Sequence, residues 1–146
     1  MARKAGRHRT MRFGKKRILV VEDNKGVRDI VVSMLTAAEY QCRAVSSGVK
    51  ALEILKSGSR FDLMICDLRN KPHGLILLAQ AKTKVPKMPI VVMTPQCCAC
   101  TAQFAVSEMD ASAILMKPFT ANELLVTLYP LLEDRRRDFL NGVGIA

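Results

Sequence analysis

The chain has 146 residues, of which 49% are apolar, and its formal net charge is +10 at pH 7. This length and composition fit one domain with a sizeable hydrophobic core. No apolar run approaches the roughly 20 residues needed to cross a bilayer, and no apolar segment follows the basic N-terminus as a secretory signal requires. We therefore expect a cytoplasmic protein without a membrane span, whose five cysteines are reduced thiols rather than a disulfide framework.

The N-terminal segment carries most of the charge. Residues 3–17 contain eight basic residues and no acidic one, so they hold +8 of the formal +10. The segment is polar and has no apolar periodicity, which predicts a disordered basic arm over residues 1–16. Charge alone would let residues 3–17 contact nucleic acid or an anionic surface without sequence preference. Two alternatives are a solvated tail without a partner and a translation start at Met11 instead of Met1.

From Arg17 onward, short apolar runs alternate with segments of helical periodicity. The runs are too short for helices and nearly continuous, which predicts strands covered on both faces. In chain order, these strands occupy about residues 18–21, 41–45, 63–66, 89–93 and 113–116. Each is followed by a helix, and five β-α units predict an α/β fold with a doubly wound, five-stranded parallel sheet and helices on both faces, the flavodoxin-like (βα)5 arrangement. We assign residues 17–133 to this domain and residues 134–146 to a short C-terminal tail.

Capping residues mark where several of the helices begin. Asn24 and Ser47 are suited to cap the first and second helices, because their side-chain oxygens can accept hydrogen bonds from free backbone amides. Thr120 and Glu123 have the spacing of a capping box. They open a last helix in which we expect Pro130 to lie near the end, since proline disrupts a helix interior.

Polar side chains that carry chemistry stand at the carboxyl ends of four predicted strands. Glu22 and Asp23 follow the first strand, and Asp67, Thr94 and Lys117 stand at the ends of the third, fourth and fifth. In a parallel sheet these ends open on one edge, where α/β folds bind ligands. Three carboxylates in one cleft repel each other unless a cation joins them, and such hard oxygen ligands suit Mg²⁺. With an ammonium and a hydroxyl nearby, the set predicts a site where a carboxylate attacks phosphorus.

The order and spacing of these strand ends resemble the receiver domain of two-component response regulators. The segments that carry the resemblance are ILVVEDN at residues 18–24, DLMICDL at 62–68, PIVVMT at 89–94 and LMKPF at 115–119. Each segment alone is a weak signal, but the four together are specific, and the resemblance covers about residues 17–133. It implies that Asp67 is the phosphoacceptor.

The resemblance also implies a role for the other residues at this edge. Glu22 and Asp23 would hold Mg²⁺ together with the phosphoacceptor and the backbone carbonyl of Arg69. Thr94 would be the switch hydroxyl, and Lys117 would pair with the phosphoryl group. The implied donor is a histidine kinase or a phosphotransfer protein, so the chain is a phosphoacceptor and not an enzyme. Because only residues 134–146 follow the domain, we expect it to act through contacts with a protein target that the sequence does not identify.

Some residues depart from the family pattern. The loop after Asp67 is one residue short, Thr94 is followed by Pro95, which has no backbone N–H, and Ile114 stands where the family often has an aromatic ring. These departures favour an alternative, a degenerate receiver that serves as a phosphorylation-independent docking or dimerisation module. A phosphohydrolase with an aspartyl nucleophile is disfavoured, because such enzymes need a second carboxylate where this chain has Arg69.

Cysteines are concentrated at the start of the fourth predicted helix. Cys97 and Cys100 have C-x-x-C spacing, which can serve redox chemistry or metal binding. Since no histidine or further cysteine pair completes a site, we expect these small side chains to serve packing instead.

Overall fold

The computed structural model of the chain describes residues 15–69 and 74–140, with the side chains of the last helix described as far as Glu133. Within these residues lie five strands: β1 Arg17–Val21, β2 Gln41–Val45, β3 Leu63–Asp67, β4 Ile90–Pro95 and β5 Ala113–Lys117. They pair in parallel in the order β2-β1-β3-β4-β5. The predicted five-stranded parallel sheet is therefore confirmed.

Five α-helices alternate with the strands in the described residues: α1 Lys25–Ala37, α2 Gly48–Lys56, α3 Gly74–Lys84, α4 Ala99–Met109 and α5 Ala121–Leu140. The side chains of β1 show how the helices divide between the two faces of the sheet. Ile18 and Val20 belong to an apolar cluster with residues of α1 and α5, whereas Leu19 and Val21 belong to a second cluster with α2, α3 and α4. Alternate strand residues point to opposite faces, so the predicted helices on both faces are confirmed.

Strand β3 lies in the middle of the sheet and is buried along its whole length. It pairs with β1 on one side and with β4 on the other, and its last residue, Asp67, lies opposite Met93. Burying a large aliphatic side chain stabilises the fold by about 1.5–3 kcal/mol. Because Leu63 and Ile65 are fully buried, the strand has a fixed place in the core, and so does the carboxylate at its end.

The predicted helix caps are present. Asn24 Oδ1 accepts a hydrogen bond from the Val27 amide at 2.9 Å, and Ser47 makes the equivalent contact at the start of α2 at 3.3 Å. Before α5, the Glu123 amide donates to Thr120 Oγ1 at 3.1 Å while the Thr120 amide donates to Glu123 Oε1 at 3.0 Å. These contacts satisfy amides that have no partner within the helix, which is why the helices begin at these residues.

The last helix differs from the sequence prediction, and a short turn precedes the fourth helix. A short 3-10 turn over Gln96–Cys98 precedes α4, so the α-helix itself begins at Ala99. Helix α5 continues to Leu140, which places Pro130 in its interior and not near its end. A proline removes only one backbone hydrogen bond, and the leucine, glutamate and arginine residues that follow have high helix propensity. The helix therefore includes residues 134–140 of the predicted tail.

Part of the predicted domain plan lies outside the described residues. This holds for most of the basic arm, for the end of the chain, and for the loop after Asp67 apart from Leu68 and Arg69. The disorder of the arm and the shortened loop therefore stay predictions. Within residues 15–69 and 74–140, no helix combines the length and apolar character that a membrane span requires.

Candidate functional site

The carboxyl edge of the sheet holds an acidic cluster made of Glu22, Asp23 and Asp67. Strand β1 ends directly before Glu22 and β3 ends at Asp67, so the pairing of these two strands places their ends side by side. One carboxylate oxygen from each of the three residues lies within 4.8 Å of the other two. Glu22 and Asp67 are only 1% and 2% exposed, whereas Asp23 is exposed. Two buried carboxylates and one solvated carboxylate thus face the same small volume.

Lys117 provides the positive charge for this cluster. It ends β5, two strands away from β3, and its side chain reaches across the sheet edge. Its Nζ donates to Glu22 Oε1 at 2.6 Å and to Asp67 Oδ2 at 3.0 Å. A buried carboxylate is costly unless it is paired and hydrogen-bonded. The lysine therefore compensates both buried carboxylates at once.

The pKa values of Glu22 and Lys117 reflect this arrangement. Burial raises the pKa of Glu22, and the nearby charge of Asp67 raises it further, while hydrogen bonds from Lys117 and the Asn24 amide act in the opposite direction. For Lys117, burial alone would lower the pKa, but the hydrogen bonds to Glu22 and Asp67 outweigh burial and the pKa is raised. The lysine is consequently cationic at neutral pH.

The turn after β3 fixes the second oxygen of Asp67. The Arg69 amide donates to Asp67 Oδ1 at 2.9 Å, while Lys117 occupies Oδ2. Both carboxylate oxygens thus have a hydrogen-bond donor, and these two donors, the Arg69 amide and Lys117, fix the orientation of the carboxylate. Arg69 lies directly beside the cluster, and the family resemblance implies that its carbonyl would help to hold a metal ion.

The first residue of α3, Gly74, lies in close contact with the backbone of the turn after β3. The Gly74 amide donates to the Leu68 carbonyl at 3.1 Å. A Cβ atom at Gly74 would lie 2.4 Å from Leu68 Cα and 2.6 Å from Leu68 O, closer than any side chain permits. Only glycine therefore lets α3 begin this near to the residue that follows Asp67.

Arg28 also contacts the site, although it is not among the residues that the sequence predicts there. It lies in α1, and its Nη1 donates to the Glu22 carbonyl at 2.7 Å and to the Asp23 carbonyl at 3.3 Å. These contacts hold the backbone of the acidic pair. The sequence offers one signal for this role, a basic residue five positions after the acidic pair. It does not show that the arginine binds the backbone of the pair instead of its carboxylates.

Thr94 lies at the same edge, but its hydroxyl makes its contacts with the turn that follows β4. The side chain is fully buried. Its Oγ1 has the Pro95 carbonyl at 3.2 Å and the Cys98 carbonyl at 3.5 Å as acceptors. The hydroxyl therefore belongs to the turn between β4 and α4, and the structure does not join it directly to Asp67.

The acidic cluster fits a Mg²⁺ ion. Mg²⁺ binds oxygen ligands at about 2.0–2.1 Å in octahedral geometry, so two of its ligands lie about 3–4 Å apart. The three carboxylate oxygens, within 4.8 Å of each other, need only small shifts to reach such distances. A divalent cation would also relieve their mutual repulsion.

The cysteines at the start of α4 do not form a comparable cluster. Cys97 and Cys98 have their Sγ atoms 3.7 Å apart, and Cys100 is exposed. Among the described residues, the acidic cluster is the one group of three or more side chains with metal-ligand geometry.

Comparisons with known proteins agree with this geometry. The sequence model of the family described as "Response regulator receiver domain" matches residues 18–129. The chain is 34% identical over 123 residues to the response regulator MprA of Mycobacterium ulcerans (strain Agy99). It is 32% identical over 120 residues to the transcriptional regulatory protein ZraR of Klebsiella oxytoca. These alignments cover 80% and 82% of this chain but 50% and 27% of those proteins, so the chain spans half or less of their length.

Solved structures give the same assignment. A response regulator receiver protein from Sinorhizobium medicae WSM419 superposes with a TM-score of 0.74 at 34% identity, covering 84% of this chain and 98% of the other. A CheY-like receiver domain protein from Methanospirillum hungatei JF-1 superposes with a TM-score of 0.78, covering 86% and 99%, and at 23% identity it supports the fold alone. The match over most of the chain and the order of its strands lead to one conclusion: the chain belongs to the response regulator receiver domain family.

Proposed function

We propose that Asp67 accepts a phosphoryl group in a two-component phosphorelay, with Mg²⁺ held by Glu22, Asp23, Asp67 and the Arg69 carbonyl. The observation that carries the proposal is the buried Asp67 carboxylate at the open edge of the sheet, hydrogen-bonded to Lys117 and close to two more carboxylates. Such a concentration of buried charge is costly for stability, and chemistry at this site accounts for it.

The chemistry follows from the contacts of Asp67. A carboxylate oxygen attacks the phosphorus of the donor, a new P–O bond forms, and the bond to the leaving group breaks with its electron pair. When the donor is a histidine kinase or a phosphotransfer protein, that electron pair stays on an imidazole nitrogen. When bound by these residues, Mg²⁺ would supply positive charge to the phosphoryl oxygens. Lys117 remains beside the product, where its ammonium can donate to a phosphoryl oxygen.

Thr94 would connect this chemistry to the surface. Its hydroxyl holds the carbonyls of Pro95 and Cys98 in the unphosphorylated arrangement. If the hydroxyl turns to a phosphoryl oxygen instead, both contacts are lost and the turn before α4 is free to move. A phosphorylation-dependent shift of this turn is then the signal that a partner protein detects.

The proposed partners follow from this role. A histidine kinase or phosphotransfer protein would supply the phosphoryl group in a cytoplasmic setting, and an unidentified protein target would bind the altered surface. The chain itself acts as the acceptor in this scheme and not as an enzyme with turnover.

The alternative is a receiver that docks or dimerises without phosphorylation. Two observations favour it. Pro95 removes a backbone donor directly after Thr94, and Ile114 packs against the core cluster of one sheet face where the family often has an aromatic side chain. Both residues would weaken the transmission of a signal from Asp67, while leaving the acidic cluster in place.

Intact-mass measurement distinguishes the two. The protein is incubated with Mg²⁺ and acetyl phosphate, and the expected result is a single phosphoryl adduct that is absent with EDTA and absent from Asp67→Asn. Asp62→Asn is a matched control, because it changes a carboxylate at the other end of β3, and it should keep the adduct. The absence of any adduct in the unaltered protein, with Mg²⁺ and with either acetyl phosphate or a phosphorylated phosphotransfer protein, would support the docking module.

A further inference from the structure

The opposite edge of the sheet, where the strands begin, holds a basic cleft of about 660 Å³. The segments before β1, β3 and β4 form it, and Asp62 is the one carboxylate that lines it among the described residues. Its positive side chains come from all three segments and are Lys15, Arg17, Arg60, Lys84 and Lys87. Five basic groups and one acidic group give the lining a formal charge of +4.

Contacts within the cleft fix one of these cations and cover the aromatic ring beneath it. The Arg17 guanidinium lies 4.7 Å from the centroid of the Phe61 ring and donates to the Arg60 carbonyl at 3.0 Å. Phe61 is only 7% exposed. A ligand in the cleft therefore meets positive charge and finds little aromatic surface for stacking.

The remaining cations are exposed, and their charge is available to a ligand. This applies to Lys15, Arg60, Lys84 and Lys87. The ion pairs between described residues involve other lysines, at positions 25, 82 and 117.

We infer that this cleft binds the phosphodiester backbone of nucleic acid. Cations spread over three segments suit a ligand with several phosphates, and backbone contacts of this kind need no base recognition. A single nucleotide would match only part of the charge and would lack a ring to stack on. A concave cleft also fits a nucleic-acid backbone better than it fits the flat surface of a lipid bilayer. In the sequence, five further basic residues, at positions 3, 4, 7, 9 and 12, precede Lys15.

The cleft is independent of the acidic site, and this inference goes beyond the function proposed above. Strand β1 separates the two with five residues, which at about 3.3 Å per residue is about 16 Å. Electrostatic screening at physiological salt has a length of about 8 Å. Nucleic acid in the cleft therefore neither competes with Mg²⁺ nor requires phosphorylation of Asp67. The domain can exchange phosphate while it is held on nucleic acid.

The test compares two double variants of the full chain that carry the same charge change. In K84Q/K87Q both substitutions lie in the cleft. In K25Q/K50Q they lie in the first turns of α1 and α2, at the other edge of the sheet. Binding to a short fluorescein-labelled DNA duplex is measured by anisotropy between about 50 and 200 mM salt. The slope of log K against log salt is negative, and each lost phosphate contact reduces its magnitude by about 0.9. K84Q/K87Q should therefore reduce the magnitude by about 1.8, and K25Q/K50Q should not change it.

Additional measurements decide what the cleft binds. Equal slopes for the two double variants, together with an unchanged slope for R60Q, would overturn the inference. So would a loss of binding to phosphatidylglycerol vesicles in K84Q/K87Q without any effect on the duplex, because the cleft would then serve a membrane. Thermal unfolding shows that the variants remain folded. The mass test for the Asp67 adduct, run on the same samples, reports on the proposed phosphoacceptor function separately.

Discussion

The Lys117 ammonium lies 2.6 Å from Glu22 Oε1, closer than the 3.0 Å that separates it from Asp67 Oδ2. The shorter hydrogen bond thus goes to Glu22, whose proposed role is metal binding alone, and the longer one goes to Asp67, the proposed phosphoacceptor. Glu22 Oε2 also accepts from the Asn24 amide at 3.1 Å, so this side chain is held at both oxygens. If Mg²⁺ were bound at Glu22, it would weaken the hold of this carboxylate on Lys117, and we expect the lysine then to be available to a phosphoryl group on Asp67.

Replacing Lys117 should cost stability. In Lys117→Gln the carboxylates of Glu22 and Asp67 lose their cation while they stay buried, and removing one partner of a buried pair costs about 3–5 kcal/mol. Because the Lys117 side chain is 18% exposed, we expect a loss of about 3 kcal/mol in the free energy of unfolding at neutral pH, measured by urea denaturation. Addition of MgCl₂ should restore part of it.

A matched substitution shows whether that loss belongs to the buried cluster. Lys25 forms an ion pair with Asp29 at 2.7 Å, and both side chains are largely exposed. Lys25→Gln should cost less than about 1 kcal/mol, since exposed pairs contribute little. A similar cost for the two lysines would show that Lys117 is not a special support of the buried carboxylates.

The raised pKa of Glu22 predicts how stability changes with pH. A folded state whose carboxyl pKa is raised binds the proton more tightly than the unfolded state does, so this residue lowers the free energy of unfolding as the pH rises above its ordinary value of 4.5 and through the folded value. Glu22→Gln should remove this decline. Urea denaturation of both proteins from about pH 4 to pH 7 tests it, and parallel curves would contradict it.

The raised pKa of Lys117 has its effect at the alkaline end. Its contribution to stability is fully present below its ordinary pKa of 10.5 and is lost as the pH rises through the higher folded value. The unaltered protein should therefore lose stability above about pH 10.5 more steeply than Lys117→Gln, as followed by circular dichroism in an alkaline titration. Equal loss in both would assign the alkaline transition to other groups.

Metal binding should depend on Asp23. Mg²⁺ that binds only the folded chain raises the melting temperature in proportion to the logarithm of its concentration above its dissociation constant. In Asp23→Asn this rise should be strongly reduced, while the melting temperature without Mg²⁺ should be unchanged or higher, because one repelling charge is gone. Asp29→Asn removes an exposed carboxylate outside the cluster and serves as the control. An unchanged Mg²⁺ response in Asp23→Asn would exclude this residue from the site.

The approach of Gly74 to Leu68 predicts a local and specific defect. In Gly74→Ala the new methyl group would meet backbone atoms 2.4–2.7 Å away, so α3 or the turn after Asp67 must move. We expect a loss of about 1–3 kcal/mol in the free energy of unfolding and slower phosphorylation at Asp67. Gly48→Ala is the matched control, because its methyl group would make ordinary contacts of 3.5 Å with Leu77. It should be nearly neutral in both measurements.

The sequence was sufficient to predict the architecture because local and global signals agree in this chain. The apolar run of β3 and the caps at Asn24 and Thr120 depend on periodicity and on neighbouring residues, and the structure has all of them where the sequence placed them. The predicted end of α5 near Pro130 is wrong, because the helix continues ten residues beyond this proline. A single proline within a long helix is tolerated when the residues after it favour helix, and local signals do not weigh these effects against each other.

The directions of the side chains at the site are harder to predict from the sequence. The strand ends determine which residues gather, so Glu22, Asp67 and Lys117 could be selected from their positions alone. The direction of the Thr94 hydroxyl depends on the carbonyls of a turn that follows it, and the contacts of Arg28 depend on how α1 packs beside the strand end. Both sets of contacts are short in sequence, but they depend on the backbone path of a turn, which residue types alone do not specify.

The complete burial of β3 gives the amide protons of the site two very different lifetimes. Amides inside the strand, such as that of Ile65, are shielded on both faces and exchange with deuterium only when the domain unfolds globally. The Arg69 amide lies in a turn at the surface and depends on its bond to Asp67 Oδ1. Chemical change at that oxygen therefore alters the exchange rate of the Arg69 amide and leaves the exchange rates within β3 unchanged. Hydrogen–deuterium exchange can thus report the state of the Asp67 carboxylate.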